Sequence, residues 1–396
     1  MTMFNAKSRE EIEEFLLNDN HARYVLELST GTGKSRFSIL KMKQWIDEFG
    51  GEILIVIPKL VLIDNWKTEF EKFGFSELLG TITFTTYNSL QKHTDKEWTC
   101  VCYDEIQHLS DRCKLIQQNM KYKCFLGLSA TIKRDIKYWL WANIRGLEWI
   151  RMGLKDAIDN EVLPNPKVIL IPLKLDNKAI SEVIVKNPKA KKVMEVSYKD
   201  KFKCRDKNVQ YHIHCTQQQW YDDIQGMIQW LDQHAPKMAY LKKCNDRLKW
   251  LSDKKTGFVK ELLKRITRYR VIVFCNSIAQ SKELGMNSIN SKDGIAQDVL
   301  DRFNNREINK VTAVTILNEG CNVTDCKIGV FANLNSSEIV TKQRSGRILR
   351  HKKPVIIIPY YINTRDEQLM NKMILNYDED MIVKIHDLDE LKKHLK

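Results

Sequence analysis

The residues Tyr24–Leu28 are apolar, run straight into Ser29–Ser35 (STGTGKS), and are followed by Lys34–Phe49, whose apolar positions fall at helical spacing. A buried strand that ends in a glycine-rich loop and restarts as a helix strongly limits the folds open to a chain. Gly31 and Gly33 let backbone N–H groups close around an anion at a helix N-terminus, where the helix dipole favours negative charge. Thr30, Gly31, Thr32, Gly33, Lys34 and Ser35 are therefore candidates to bind a nucleotide. Lys34 brings charge to the β/γ-phosphates, and the Ser35 hydroxyl is a candidate ligand for Mg²⁺. The usual first glycine of such a loop would fall at position 28, where this chain has Leu28.

The text around this loop keeps the same rhythm. Residues 52–58 read as a buried strand and Leu60–Phe73 as a helix; Thr81–Thr85, Trp98–Tyr103 and Cys124–Leu128 are further short strands. Strands alternating with helices predict a parallel sheet covered on both faces. The pattern returns late in the chain, with strands at 270–276, Val311–Ile316, Lys327–Asn333 and 354–362, and helices at Ile295–Phe303 and Glu338–Leu349. The expected fold class is α/β, with two lobes. With 43% hydrophobic and 29% charged residues, disorder as the main state is excluded. No apolar run approaches the ~18 residues that a bilayer crossing needs. The start, MTMFNAKSREEIEEFL, lacks an apolar signal core, so a cytoplasmic protein without membrane contact is expected. None of the ten cysteines forms a CxxC pair, which fits reduced thiols. Cys204, His212, His214 and Cys215 match no common zinc spacing, and they read as a polar strand face.

Three further segments carry chemistry. Cys100–Gln107 (CVCYDEIQ) is an apolar strand ending in two acids, about 70 residues after the loop. Asp104 there can hold Mg²⁺, and Glu105 can orient or deprotonate an attacking water. Leu128–Ile132 (LSATI) places Ser129 and Thr131 at the end of the next strand, where small hydroxyl residues can couple the acidic site to another lobe. Gln343–Arg350 (QRSGRILR) puts Arg347 and Arg350 three apart, on one face if helical, in the other α/β block. Arginines brought onto a γ-phosphate from a second lobe stabilise transition-state charge.

In this order and spacing these segments resemble the motifs of superfamily 2 helicases and translocases of the DExH/D type. STGTGKS looks like motif I, DEIQ like motif II, SAT like motif III and QRSGRILR like motif VI, with Gln343 among its functional positions. Thr315–Asp325 is similar to motif V, with Gly320 and Asn322 near the nucleotide; the family usually has an acid where Asn322 stands. Val56–Trp66 resembles motif Ia, Thr85–Leu90 motif Ib, and 270–277 motif IV. The resemblance covers roughly 20–170 and 268–365. It implies two RecA-like lobes with ATP and Mg²⁺ between them and nucleic acid across both. Lys59 and Thr86 would be strand contacts, although Lys59 also reads as an ordinary exposed lysine. DEIQ is neither DEAD nor DEAH, and Gln107 stands where a residue usually couples the acid site to the second lobe. Residues 1–20 contain no glutamine to read adenine.

The expected division is 1–165 for the first lobe, 166–174 with 268–396 for the second, and 175–267 for a basic, largely helical insert. The chain has a net charge of +14; residues 178–270 hold 22 Lys and Arg against 10 Asp and Glu, a net +12. Lys189, Lys191 and Lys192 sit in its densest part and are candidates for nucleic-acid contact; the alternative is a solvated surface. Trp220 lies on an apolar helical stripe and reads as core, while Trp230 and Trp250 are open to base stacking. The resemblance implies a nucleic-acid-dependent ATPase that unwinds DNA. A duplex translocase without unwinding, an RNA helicase and a non-catalytic clamp are the alternatives. DNA is favoured over RNA because QxxGRxxR looks closer to DNA-acting members. The expected protein is a monomer whose partners belong to replication, recombination or repair, in the host cytoplasm if phage-encoded.

Overall fold

The computed structural model describes residues 3–290, 295–314 and 323–395. The first lobe contains β1 (Met3–Asn5), α1 (Arg9–Asn18), β2 (Arg23–Leu28), α2 (Lys34–Phe49), β3 (Ile53–Ile57), α3 (Leu62–Lys72), β4 (Ile82–Thr86), β5 (Glu97–Tyr103), α4 (Asp111–Gln118), β6 (Lys121–Ser129), α5 (Arg134–Asn143), β7 (Glu148–Met152) and α6 (Leu154–Asp159). Its strands form a parallel sheet in the order β1-β7-β2-β6-β5-β3-β4. Runs such as ILIVI in β3 are wholly buried because helices cover both faces. Tyr24, Leu26, Ile55 and Cys102 point into a layer with Phe37, Met42, Trp45 and Phe70 of α2 and α3. Val25, Val56, Tyr103 and Phe125 face α4 and α5 through Cys113, Ile116, Ile136 and Leu140.

β8 (Lys167–Leu173) leaves the first lobe and pairs with strands of a second sheet. The chain then builds a small mixed sheet from β9 (Glu182–Lys186), β10 (Lys192–Ser197) and β11 (Val209–Cys215), followed by a helical hairpin of α7 (Gln217–His234) and α8 (Lys237–Lys254). The insert expected to be largely helical therefore opens with a three-stranded sheet before its helices. β10 and β11 run parallel, and β9 pairs antiparallel to β11.

The second lobe continues with α9 (Thr256–Arg265), β12 (Val271–Cys275), α10 (Ile278–Glu283), β13 (Asn287–Asn290), α11 (Ala296–Asn304), β14 (Lys310–Val314), β15 (Ile328–Val330), α12 (Glu338–Ile348), β16 (Val355–Tyr361), α13 (Arg365–Ile374), β17 (Ile382–Lys384) and α14 (Leu391–His394). Its parallel sheet runs β13-β14-β12-β15-β16-β8-β17. Val259, Leu262 and Leu263 of α9 pack against Ile169, Val271 and Val273, so the lobe's core begins before position 267. Buried Lys255 pairs with buried Asp366 at 2.7 Å, which ties the end of α8 to α13.

Candidate functional site

In open parallel sheets, ligands bind outside the carboxyl ends of the strands. The first lobe places its candidate residues along that edge in strand order. The glycine loop leaves β2, Ser129 ends β6, Asp104 follows β5, Lys59 follows β3 and Thr86 ends β4. Gly31 and Gly33 have φ of +94° and +111°, which L side chains rarely adopt. Among the described residues no side chain caps α2 at Gly33, so its first N–H groups are left for an anion. Lys34 Nζ donates to the Leu28 carbonyl oxygen at 2.8 Å. Arg9 braces the loop by donating to the carbonyls of Thr32, Gly31 and Val162 at 3.1–3.2 Å.

The electrostatics show which groups surround Lys34. Burial lowers its pKa most; Glu105 and Asp104 oppose that, and Arg350 and Arg347 add to it. Two acids of the first lobe and two arginines of the second thus act on one ammonium. Asp104 is pushed up to about 7, first by burial and then by adjacent Glu105, against the pull of the Trp66 N–H and the Lys34 charge. Glu105 has φ 52°, an uncommon backbone for a non-glycine residue and one that clusters at functional sites. Its Oε2 accepts from Gln107 Nε2 at 2.6 Å, Gln107 Oε1 accepts from the Ser129 hydroxyl, and Ser129 Oγ accepts from Thr131 N–H at 3.1 Å. Gln107, Ser129 and Thr131 therefore form one hydrogen-bonded chain running from Glu105. That chain stays within the first lobe.

The second lobe supplies α12. Gln343, Gly346 and Arg347 lie three to four apart and share a face. Gly346 meets the loop directly: a Cβ there would lie 2.7 Å from the Thr30 Cβ. Gln343 and Arg347 are buried, whereas Arg350 lies just past the helix end, where Glu69 of α3 acts on its charge. Arg344 is turned inward, donates to the Asn333 carbonyl and sits 5.2 Å from the Phe274 ring centre. Gly320 and Asn322 fall outside the described residues.

The residues fit a nucleoside triphosphate. Ser29 Oγ and Gln343 Nε2 are buried with no hydrogen-bond partner among the described residues, one on each side of the Thr30–Gly346 contact. Among the described residues there is no cluster of three or more His, Cys, Asp or Glu able to hold a metal. Mg²⁺ in phosphate sites is held by one or two carboxylates with phosphate oxygens and waters, so Asp104, with the Ser35 hydroxyl, is the candidate to hold it.

Other candidates lie elsewhere. Lys189, Lys191 and Lys192 are exposed at the turn from β9 to β10, on a sheet separate from Lys59 and Thr86. His212 and His214 both bond to Glu195, at 3.0 and 2.6 Å, while Cys204 and Cys215 are buried. Trp220 and Trp250 stack on each other at 4.3 Å, which takes Trp250 away from base stacking; exposed Trp230 stacks on His234. Sequence reasoning missed Arg9, Trp66 and Tyr87 as groups around the site. Trp66 and Tyr87 stand within the motif-like segments 56–66 and 85–90, whereas Arg9 has no motif around it. Among the described residues no helix is long and apolar enough to cross a membrane.

Comparison with known proteins agrees with the two-lobed α/β fold. Residues 3–134 match the family described as type III restriction enzyme, res subunit, and 254–352 match the helicase conserved C-terminal domain. DNA 3'-5' translocase XPB2 of Sulfurisphaera tokodaii is 22% identical over 355 residues, covering 83% of this chain and 75% of that protein. The structure of S. cerevisiae Dbp5 bound to RNA and ADP BeF3 superposes with TM-score 0.65 at 12% identity, covering 99% of this chain and 94% of that one. DEAD-box helicase Mss116 bound to ssRNA superposes with TM-score 0.56 at 13% identity, covering 98% and 76%.

Proposed function

Because the chain belongs to the superfamily 2 helicases, with two RecA-like lobes, we propose that it is an ATP-driven motor that moves along DNA and separates its strands. The observation that carries this reading is the gathering of Asp104, Glu105, Arg347 and Arg350 around Lys34, with Gly346 seated on Thr30. A bound ATP·Mg²⁺ would supply the phosphoanhydride whose cleavage drives movement. The loop from Thr30 to Ser35 holds phosphates through its N–H groups and Lys34. Ser35 and Asp104 would hold the metal, and Glu105 is placed to orient or deprotonate the attacking water. Arg347 and Arg350 offset charge that develops on the transferred group. These arginines come from the second lobe, so hydrolysis requires the lobes to be together, and lobe movement follows from losing that requirement. Lys59 and Thr86 contact strand phosphates, and Lys189, Lys191 and Lys192 add sequence-independent affinity.

Sequence likeness to a protein named as a DNA 3'-5' translocase supports DNA as the track. It also supports a second reading, translocation on duplex DNA without unwinding. A strand-displacement assay run beside a triplex-displacement assay separates them. Release of a strand from a forked duplex is the result expected for a helicase. Triplex displacement alone would establish the translocase.

A further inference from the structure

Asp104 stands in the middle of the first lobe's functional edge. In the strand order β2-β6-β5-β3-β4, the phosphate-binding loop is at one end, Lys59 and Thr86 are at the other, and Asp104 leaves the central strand. Adjacent strands are ~4.8 Å apart, so neither end reaches the other without crossing β5.

Two side chains reach Asp104 from the Lys59–Thr86 half. Trp66 is 5% exposed and donates its indole N–H to Asp104 Oδ2 at 3.0 Å. Tyr87 is 7% exposed and donates its hydroxyl to the Asp104 main-chain carbonyl at 2.8 Å. One holds the carboxylate and the other holds the backbone that carries it. Each belongs to a segment continuous with a candidate strand contact: Lys59–Val61 leads directly into α3, and Tyr87 follows Thr86. Both rings also serve the core, since Trp66 packs on Phe70 and Tyr87 on Tyr103 at 6.0 Å. Phenylalanine at 87 would fill almost the same space, and at 66 a smaller ring would still pack on Phe70. Core packing therefore leaves unexplained why the polar atoms of both rings end on the same acid.

We infer that Trp66 and Tyr87 are positioning residues that carry occupancy of the Lys59 and Thr86 loops to Asp104, so that the acid's aim at the metal responds to a bound strand. This rests on the functional reading above. Neither residue touches nucleotide or metal; each acts through Asp104. Such linkage is reciprocal, so Mg²⁺-nucleotide and strand each tighten binding of the other by the same factor.

The test compares wild type with Trp66→Phe and Tyr87→Phe in the full chain. Tyr87→Phe keeps the ring and removes the donor; Trp66→Phe removes the donor and also trims the indole to a single ring. Hydrolysis is measured with and without a single-stranded DNA oligonucleotide. Equilibrium binding of a fluorescent ATP analogue is titrated with Mg²⁺ under both conditions, and thermal melting reports folding. The expected result is a ratio of stimulated to basal hydrolysis that falls about tenfold in Trp66→Phe, the scale of one hydrogen bond to a charged group, and about fivefold in Tyr87→Phe, the scale of a neutral one. The oligonucleotide should also stop tightening Mg²⁺-dependent binding of the analogue. Equal losses of basal and stimulated rate, with the ratio and the binding linkage intact, would assign these residues a structural role and overturn the inference. Tyr87→Phe removes only a bond to the main chain and decides the matter should Trp66→Phe fail to fold. Wild type that no nucleic acid stimulates would overturn the functional reading and this inference with it. A stimulated wild type with unaltered variants overturns the inference alone.

Discussion

Gly346 of α12 lies so close against Thr30 of the phosphate-binding loop that no side chain fits between them: a Cβ on Gly346 would lie 2.7 Å from the Thr30 Cβ and 2.8 Å from its carbonyl oxygen. The second atom is main chain and cannot swing aside. Gly346→Ala should therefore hold α12 off the loop and misplace Arg347 and Arg350. Misplacement of about 1 Å at a reacting centre costs on the order of a hundredfold in rate. Steady-state hydrolysis should fall by about that much while the melting temperature changes little, because the contact joins lobes that each have a core. An unchanged turnover number would show that the lobes need not meet here for hydrolysis.

Glu27 is a buried carboxylate just before the loop. It accepts from Ile132 N–H at 3.2 Å, Trp149 Nε1 at 3.1 Å and Lys137 Nζ at 2.7 Å. It thereby pins the segment after Ser129–Thr131 to the root of the phosphate-binding strand. Glu27→Gln keeps the shape and removes the charge that Lys137 faces. Charged hydrogen bonds of this kind contribute about 2 kcal/mol, so denaturant unfolding of the first lobe should move by that order. A shift within error would mean that solvent or another group satisfies Lys137.

The insert's charge is partly committed to its own structure. Lys201 pairs with Asp223, Lys254 with Glu182 and Lys255 with Asp366. Deleting the whole basic segment would also remove α9 from the second lobe's core, so neutralising the exposed turn is the cleaner change. Replacing Lys189, Lys191 and Lys192 together by alanine should make the plot of log affinity for single-stranded DNA against log salt shallower by about 2, given ~0.7 per phosphate contact. Lys34-dependent hydrolysis should persist. An unaltered slope would assign the turn to solvent.

The site's legibility follows from where its residues lie. Lys34, Asp104 and Ser129 each follow a buried apolar run, and such runs are visible as text. Lys34–Phe49 is a helix over the range its apolar spacing predicts. The insert's strands were not legible because β9 and β10 are short, lysine-bearing and largely exposed, so neither shows clean alternation. β10 pairs in parallel with β11, and a tight turn could not announce it. Trp250 was read as open to bases, yet it is stacked on Trp220 and bonded to Glu182, a pairing of three segments far apart in the chain. Trp66 and Tyr87 lie in the motif-like segments 56–66 and 85–90, but their bonds to Asp104 depend on the strand order, which the sequence alone does not specify.

The most direct measurement is the rate of ATP hydrolysis against single-stranded DNA, duplex DNA, forked DNA and RNA, for wild type and Lys34→Ala. The account predicts hydrolysis stimulated by DNA and lost in Lys34→Ala, with oligonucleotide binding retained by that variant. Hydrolysis that ignores every nucleic acid, or that persists without Lys34, would contradict it. Stimulation by RNA alone would overturn the assignment of DNA as the track.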